Sequence, residues 1–286
     1  MVAVSRGDEL QRAAWRLVLK TGADNAQPLV DLYRPYVEGL DTLPADGRVL
    51  LVGNHTAMSA FEIVFIPYFV RKAVGTRVRP LADRQFGKIG GPQRHMMDAF
   101  GGVVGSPETA SALMEANEPI LVFPGGGREI SKFKGEEYKL RWENRAGFAR
   151  VAIKHGYPIV TTALVGGDDV YTALIERDSL WGKASGWLGK RLSGRDDMAM
   201  PLVRGIGPTL VPRPQRLYLR FSAPIDTVAP AGVSADDWTQ QVKERVQSQL
   251  EADLRDLQDI RRRDPYRNLN PAAWRSAVMP EIAARA

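Results

Sequence analysis

Cysteine is absent from the 286 residues of the chain, and histidine occurs only three times. Without cysteine there is no disulfide framework, thiol nucleophile, zinc–thiolate site or iron–sulfur cluster. The three histidines do not have the spacing of a metal site, such as two histidines separated by three residues. We therefore expect no metal site, and any catalysis depends on hydroxyl, carboxylate, amine, guanidinium, imidazole or backbone groups.

Long apolar runs are absent as well. No run approaches the roughly 20 residues that cross a bilayer, and the best of them, Ile63 to Val70, fits the interior of a helix or strand. Five charged side chains between residues 6 and 16 interrupt the apolar segment that a signal peptide needs. We therefore predict a cytoplasmic protein that is soluble or lies on the inner face of a membrane.

The composition is that of a folded globular chain, with 44% apolar and 8% aromatic residues. The net charge of +6 has a single origin, because residues 181–220 contain eight Lys or Arg against two Asp, and the rest of the chain is neutral. A local basic zone favours contact with an anionic lipid surface or a phosphate-bearing ligand. Nucleic acid, the other partner that a basic isoelectric point suggests, is not expected.

Short apolar segments alternate with helical patterns from residue 48 onward. This alternation predicts an α/β fold with a mostly parallel central sheet flanked by helices. The predicted strands are 49–52, 103–104, 120–123, 159–165 and 217–221. The predicted helices are 60–73, 108–116, 141–155 and a long C-terminal helix at 235–262. An amphipathic pattern at 8–19 adds an N-terminal helix, and Pro28 breaks the pattern after it.

These patterns divide the chain into three parts. Residues 1–32 form an N-terminal helical segment, residues 33–228 the α/β domain, and residues 229–286 a C-terminal helix and strap packed on the same domain. The sequence contains no internal repeat and no low-complexity tract.

The segment Gly53-Asn54-His55-Thr56 directly follows the first apolar strand. A histidine at the carboxyl end of a sheet strand lies where open α/β sheets build active sites. Glu62, seven residues later, is placed to bond the imidazole and orient it as a base. Two alternatives stay open: His55 is a turn residue that bonds nearby backbone, or Glu62 is an ordinary solvated residue of a helix.

A glycine-rich segment, Phe123-Pro-Gly-Gly-Gly-Arg-Glu129, follows the strand predicted near residue 120. Three glycines let successive backbone N–H groups approach an anion or an oxyanion, and Arg128 adds a fixed cation. The segment lacks the Lys-Ser/Thr of a nucleotide P-loop, and no dinucleotide fingerprint is present. The alternative is a turn whose glycines serve tight packing alone.

Six segments occur in the order seen in glycerolipid acyltransferases. They are Asn54-His55, Gly102-Val-Val-Gly-Ser-Pro-Glu108, Phe123-Pro-Gly-Gly-Gly-Arg-Glu129, Tyr138-Lys-Leu-Arg-Trp142, Arg145-Ala-Gly-Phe148 and Tyr157-Pro-Ile-Val160. On these motifs the chain resembles the lysophospholipid acyltransferase superfamily, specifically its monoacylglycerol/diacylglycerol acyltransferase-like branch. The likeness covers roughly residues 33–228, and the glycine-rich segment with its downstream residues is more specific than the histidine motif.

The resemblance implies an enzyme that moves a fatty acyl group from acyl-CoA to a hydroxyl of a glycerolipid or long-chain alcohol. His55 is then the general base, Glu62 its acidic partner, and no covalent acyl-enzyme is formed. The implied substrate-binding residues are Asn54, Gly125, Gly126, Gly127, Arg128, Glu129 and Pro158. The glycine turn binds the acceptor head or the thioester oxyanion, and Pro158 helps to wall the acyl pocket. Acyl-CoA is a co-substrate, and no cofactor is expected.

The sequence departs from the superfamily pattern at two positions. The acidic residue usually lies five positions after the histidine, and that position is Ala60 here. Because a shift of two residues rotates a helical side chain by about 200°, either the turn carries an insertion or the histidine works without a carboxylate. Gly125 stands where phosphate-acceptor members commonly carry Glu, which favours a neutral or unusual acceptor over lysophosphatidic acid.

Residues 180–192 mix Trp and Leu with basic side chains. Such a segment is typical of a helix that lies on a membrane, with its apolar stripe in the lipid and its cations toward the headgroups. The predicted membrane-contact residues are Trp181, Lys183, Trp187, Lys190 and Arg191. The alternative is a helix that caps the core and carries solvated lysines.

Two other classes of function stay open at this point. A lipid- or acyl-CoA-binding protein that retains the acyltransferase fold without turnover is suggested by the missing acid at position 60. A nucleic-acid-binding protein rests only on the sequence pI of about 9.6 and is the weakest of the three hypotheses.

Overall fold

A seven-stranded sheet organises the part of the chain that the computed structural model describes, residues 26–57, 61–83, 101–193, 199 and 201–269. The strands of this sheet are β1 (Tyr36–Glu38), β2 (Leu50–Gly53), β3 (Arg79–Ala82), β4 (Val103–Val104), β5 (Ile120–Val122), β6 (Ile159–Val165) and β9 (Tyr218–Phe221). A separate hairpin consists of β7 (Thr172–Ala173) and β8 (Val203–Arg204).

The strands of the sheet follow the order β1-β9-β6-β2-β5-β3-β4. The five strands from β6 to β4 are mutually parallel, whereas β9 runs antiparallel to β6 and β1 runs parallel to β9. The predicted fold class, a mostly parallel central sheet flanked by helices, is confirmed by this topology.

Helices cover both faces of the sheet. They are α1 (Gln27–Tyr33), α2 (Phe61–Val74), α3 (Pro107–Glu115), α4 (Gly127–Ile130), α5 (Gly147–His155), α6 (Leu180–Ser193) and α7 (Ala235–Arg263). Residues of α3, α5 and α7 pack on one face, and residues of α1 and α2 pack on the other. The predicted long C-terminal helix is therefore present. None of the described helices has the length and apolar character needed to cross a membrane.

Strand β2 lies in the middle of the sheet and is buried along its whole length. Leu50 and Val52 belong to the apolar cluster of α7, while Leu51 belongs to the cluster of α2 on the opposite face. The register pairs Leu50 with Ile120 of β5 on one side and Ile159 of β6 on the other. The carboxyl ends of these parallel strands therefore open toward the same edge of the sheet.

One predicted boundary is wrong for an identifiable reason. The helix predicted at 141–155 begins only at Gly147, because Glu143 has a left-handed backbone with φ 49° and ends any earlier helical path. Pro28 lies in the first turn of α1, where its missing N–H has no helical partner to lose. Helices α1 and α4 and strands β1, β3, β7 and β8 were not predicted.

Some predictions lie outside the described residues. These are the N-terminal helix at 8–19, the start of the second predicted helix at residue 60, and the end of the C-terminal strap after residue 269. The domain boundaries at residues 32 and 228 stay predictions.

The packing of α7 on the sheet generates a test of the core. Leu250 is fully buried between α7 and the strands, so Leu250→Ala removes apolar contacts and leaves a cavity. We expect the free energy of unfolding in urea to fall by about 2–5 kcal/mol. Ser248→Ala, an exposed position on the same helix, is the control and should change it by less than about 0.5 kcal/mol. Equal effects of the two substitutions would contradict this packing.

Candidate active site

Three successive backbone N–H groups beyond the end of β2 each donate to a different buried carboxylate. The pairs are His55 with Glu129 Oε2 (2.8 Å), Thr56 with Glu62 Oε1 (3.2 Å) and Ala57 with Asp168 Oδ1 (2.7 Å). The acids come from α4, from α2 and from the segment after β6. We call Glu62, Glu129 and Asp168 the carboxylate clamp.

The imidazole of His55 belongs to the loop that follows β2. Its Nδ1 bonds the carboxylate of Glu62 directly, and its ring stacks on Phe123 with 4.7 Å between ring centroids. Thr56 Oγ1 donates to the second oxygen of Glu62 over 2.5 Å. Glu62 is fully buried, whereas 14% of the His55 side chain is exposed. With Nδ1 bound to an acid, Nε2 is the ring nitrogen that can take up a proton.

The contact between His55 and Glu62 that the sequence predicts is present in the structure, although the acid stands two positions later than usual. Helix α2 begins at Phe61, so Glu62 lies in its first turn. His55 therefore has a carboxylate partner although position 60 is Ala. The alternative that Glu62 is a solvated residue is wrong, because its side chain is fully buried.

Glu129 is a fully buried residue of α4. One of its oxygens accepts the N–H of His55, and the other accepts the N–H of Arg141 over 3.0 Å. Burial raises the pKa of Glu129, while the N–H groups of His55 and Arg141 and the charge of Lys132 act in the opposite direction. Both oxygens thus bond the backbone, and the contact of Glu129 with a substrate stays a prediction.

The glycine-rich turn has its own backbone anchor. Gly126 has φ 55° and ψ −139°, a conformation that is available almost only to glycine. Arg145 Nη1 donates to the carbonyl oxygens of Pro124 (3.0 Å) and Gly125 (2.9 Å), and α4 begins at Gly127. The contact of Gly125, Gly126 and Gly127 with an anion or oxyanion stays a prediction.

Arg128 lies at the surface beside this turn. Its Nη1 donates to Glu143 Oε2 over 2.5 Å, and 28% of the Arg128 side chain and 59% of the Glu143 side chain are exposed. An exposed ion pair of this kind contributes about 0–1 kcal/mol. An anionic group of a ligand can therefore take the place of Glu143 at little cost.

Two further predicted substrate contacts are engaged elsewhere in the fold. The amide of Asn54 is fully buried and exchanges two hydrogen bonds, of 3.0 and 2.8 Å, with the backbone of Leu164. Pro158 lies at the amino end of β6, where its carbonyl accepts the N–H of Leu50. That end is three strand residues from the end that carries His55, or about 10 Å. The contacts of Asn54 and Pro158 with a substrate stay predictions.

Asp168 and its surroundings are functional candidates that sequence reasoning missed. Asp168 Oδ2 accepts from Lys132 Nζ over 2.6 Å and from the N–H of Tyr138 over 2.8 Å. The Tyr138 hydroxyl bonds the carboxylate of Asp169 and accepts the N–H of Gly166 over 2.9 Å. Burial and the two neighbouring carboxylates raise the pKa of Tyr138 well above its usual value, so this hydroxyl stays a proton donor.

A sequence signal for Asp168 exists. Residues 166–169 read Gly-Gly-Asp-Asp and directly follow the apolar strand 159–165. The rule that identified His55, a polar residue at the carboxyl end of a buried parallel strand, applies equally to this segment. What the sequence does not contain is the information that β6 lies beside β2.

We call residues 54–57, which follow β2, the histidine loop. A cleft opens between this loop and the β7–β8 hairpin. Its lining includes Ala57, Lys132, Phe133, Asp168, Tyr171 and Val203. The buried ion pair of Lys132 and Asp168 lies in this cleft, and most of the other lining side chains are apolar.

The basic zone at 181–220 does not form one surface, as the sequence interpretation assumed. Arg216 is buried and pairs with Asp264 over 2.9 Å, and Arg220 pairs with Glu38 and, over 3.1 Å, with Asp256. These cations neutralise acids of the fold. Among the described residues of the zone, the exposed cations are Lys183, Lys190, Arg191 and Arg204.

The structure describes one of the other two histidines. His155 lies in the last turn of α5, and its Nε2 bonds Ser111 Oγ over 3.0 Å. His95 lies outside the described residues. In the part of the chain that the structure describes, no group of three or more potential ligands is arranged to hold a metal ion.

Known proteins match the chain over the region that contains this site. The Acyltransferase family profile matches residues 34–165. Phytyl ester synthase 2, chloroplastic, of Arabidopsis thaliana is 32% identical over 254 residues, which is 82% of this chain and 36% of that protein. The DGAT1/2-independent enzyme synthesizing storage lipids of Bos taurus is 31% identical over 125 residues, 43% of this chain and 36% of that protein.

The chain spans about a third of the length of the curated relatives it matches first. Among solved structures, the 1-acyl-sn-glycerophosphate (LPA) acyltransferase PlsC from Thermotoga maritima aligns with a TM-score of 0.47 and 17% identity. That alignment covers 87% of this chain and 83% of that chain.

The imidazole geometry can be tested by proton NMR. An Nδ1–H bonded to a buried carboxylate resonates far downfield and exchanges slowly with water. We expect Glu62→Gln to abolish this resonance or shift it upfield, because an amide is the weaker acceptor. Glu143→Gln, which changes an exposed acid near the same turn, should leave the resonance in place. An unchanged resonance in Glu62→Gln would show that Glu62 does not bind the ring.

Proposed function

Because the chain belongs to the glycerolipid acyltransferase superfamily, we propose that it transfers a fatty acyl group from acyl-CoA to a hydroxyl of a glycerolipid or long-chain alcohol. One observation carries this proposal. The imidazole of His55 lies at the carboxyl end of a central strand, partly exposed, with Nδ1 on a fully buried acid. That arrangement suits a general base.

The proposed reaction needs only the groups already placed. Nε2 of His55 accepts the proton of the acceptor hydroxyl as its oxygen attacks the carbonyl carbon of the thioester. Glu62 stabilises the imidazolium that forms. The tetrahedral intermediate then collapses, the carbon–sulfur bond breaks, and the imidazolium returns the proton to the CoA thiolate. The products are an ester and CoA, with no acyl-enzyme.

The negative oxygen of the intermediate needs a stabilising donor. We assign this task to the glycine-rich turn, with Arg128 beside it to bind an anionic group of a substrate. The Arg128 guanidinium is half-exposed, and its ion pair with Glu143 is at the surface, which supports exchange with a ligand phosphate.

The acceptor is proposed to be a neutral lipid or a long-chain alcohol. Two relatives are named for such chemistry, one as a phytyl ester synthase and one as an enzyme synthesizing storage lipids. Gly125 agrees with this choice, because phosphate-acceptor members of the superfamily commonly carry Glu there. A non-catalytic lipid-binding role was suggested by the missing acid at position 60, and Glu62 beside His55 removes that reason.

We further propose that the protein works at an anionic membrane surface, which α6 contacts. Among the described residues, eight of the eleven exposed large hydrophobic side chains lie between residues 174 and 211. They are Leu174, Leu180, Trp181, Trp187, Leu202, Ile206, Leu210 and Val211. The guanidinium of Arg191 lies 5.4 Å from the ring centroid of Trp187. Apolar rings and cations on one segment are typical of interfacial binding.

The chemical role of His55 is tested by its replacement. We expect His55→Ala to lower the rate of acyl transfer by at least about 100-fold, because the acceptor proton has no base. Release of CoA can be followed with a thiol-reactive dye, to which a chain without cysteine contributes no signal.

His155→Ala is the matched control, because it removes a histidine that bonds Ser111 on another helix. It should keep the wild-type rate. Wild-type transfer by His55→Ala would refute the general base, and acyl-CoA binding without CoA release by the wild-type protein would favour the lipid-binding alternative.

Membrane contact is tested by flotation with vesicles of phosphatidylglycerol and phosphatidylcholine in equal parts. We expect binding at low salt that weakens as salt is added. The double substitution of Trp181 and Trp187 by Ser should lower partitioning about 10-fold or more, since burial of each large apolar side chain contributes about 1.5–3 kcal/mol.

Val228→Ser is the control for these tryptophan substitutions. Val228 is equally exposed but lies outside the 174–211 segment, so its replacement should have no effect on flotation. Flotation of the double variant at the wild-type level would remove α6 from the proposed contact.

A further inference from the structure

We propose that Glu129 is a positioning residue, which sets the place of the His55 imidazole by accepting the backbone N–H of His55. This inference rests on the proposed function, since positioning matters only if the imidazole acts on a substrate. Glu129 itself touches no reacting atom. It acts through the main chain of the residue that does.

The three acids of the carboxylate clamp come from three different parts of the fold. Strand β2 has β5 on one side and β6 on the other. Glu129 follows β5, Asp168 follows β6, and Glu62 lies on the helix that follows β2 itself. The loop that carries His55 is therefore tied to both neighbouring strands and to its own helix. A loop held from three directions has one position relative to the sheet.

The side chain of Glu129 occupies the space in which a side chain of residue 125 would lie. A Cβ atom at position 125 would lie 2.2 Å from Glu129 Oε1 and 2.4 Å from Glu129 Cγ. No residue other than glycine leaves room for this side chain. The glycine that departs from the superfamily pattern thus makes space for a carboxylate supplied four residues later. Gly125 and Glu129 form one structural unit.

Burial of the Glu129 carboxylate costs free energy. A buried carboxylate loses its hydration, which raises the pKa of Glu129. Two backbone N–H groups and the nearby Lys132 compensate for part of that loss. A neutral acceptor would bond the same N–H groups without burying a charge. The geometry therefore indicates that the N–H groups of His55 and Arg141 require two strong acceptor oxygens at this place.

The chain offers a matched comparison on the other side of the sheet. Asp253 of α7 is also buried, and its Oδ2 accepts from Thr161 Oγ1 (3.0 Å) and Ser222 Oγ (2.6 Å). It stabilises the contact of α7 with β6 and makes no hydrogen bond to the histidine loop. Asp253→Asn therefore measures the effect of neutralising a buried structural acid.

The test uses the full chain with acyl-CoA and a long-chain alcohol as acceptor. Glu129→Gln keeps the shape of the side chain but turns one acceptor oxygen into an NH2 group that faces an N–H donor. Gly125→Ala keeps the carboxylate but displaces it. Hydrogen exchange of the His55 and Arg141 amides shows which hydrogen bond each variant has lost, and kcat and KM are measured in parallel.

We expect kcat to fall about 10- to 100-fold in each variant whose His55 amide exchanges faster, because a displaced base misses its near-attack position. KM for acyl-CoA should stay within about twofold. A variant that loses only the Arg141 bond, and Asp253→Asn, should keep the wild-type kcat per folded molecule. Glu129→Asp, which retains the charge, should recover part of kcat if its shorter side chain restores protection of the His55 amide.

Two results would overturn the positioning role. One is a variant with a rapidly exchanging His55 amide and a wild-type kcat, and the other is a low kcat with a fully protected His55 amide. Failure of the proposed function looks different, since the wild-type protein would then release no CoA while amide exchange still reported the bond to Glu129.

Discussion

Three backbone N–H groups that leave the end of a buried strand need acceptors, and the active region of this chain is built on the acids that supply them. An N–H group in the interior without a partner costs about 1–3 kcal/mol. The sheet cannot serve residues 55–57, because β2 ends at Gly53. Glu62, Glu129 and Asp168 fill that need, and each brings a different element to the same point. The position of the His55 imidazole therefore depends on backbone hydrogen bonding.

The same three acids account for the residue types that lie next to them. Glu62 binds both the loop backbone and the imidazole, so one side chain orients the ring and holds its support. Asp168 carries a charge that Lys132 neutralises over 2.6 Å, which limits the cost of burying it. Glu129 requires a glycine opposite it at position 125. The orientation of the His55 ring, the charge balance around it and the glycine at position 125 thus depend on one hydrogen-bond network.

The basic side chains of residues 181–220 fall into two groups, those that form ion pairs within the fold and those that are exposed. Composition alone does not distinguish the two groups. Within residues 181–220, Arg216 and Arg220 neutralise acids on neighbouring elements, whereas Lys183, Arg191 and Arg204 are exposed. The exposed cations share their part of the chain with large apolar side chains on α6 and after β8. The net excess of +6 is therefore not all exposed charge. Ion pairs inside the fold neutralise part of this positive charge.

Periodicity and motif order alone determined the α/β class, the central strands, α7 and the pairing of His55 with an acid downstream, because these depend on local patterns. Only the tertiary structure decided that Asn54 and Glu129 bond the backbone, that Pro158 lies at the opposite edge, and that Asp168 joins the site. The physical reason is strand order. Residues 55, 129 and 168 are far apart in sequence, and they meet because β5 and β6 both pair with β2, which no local pattern specifies.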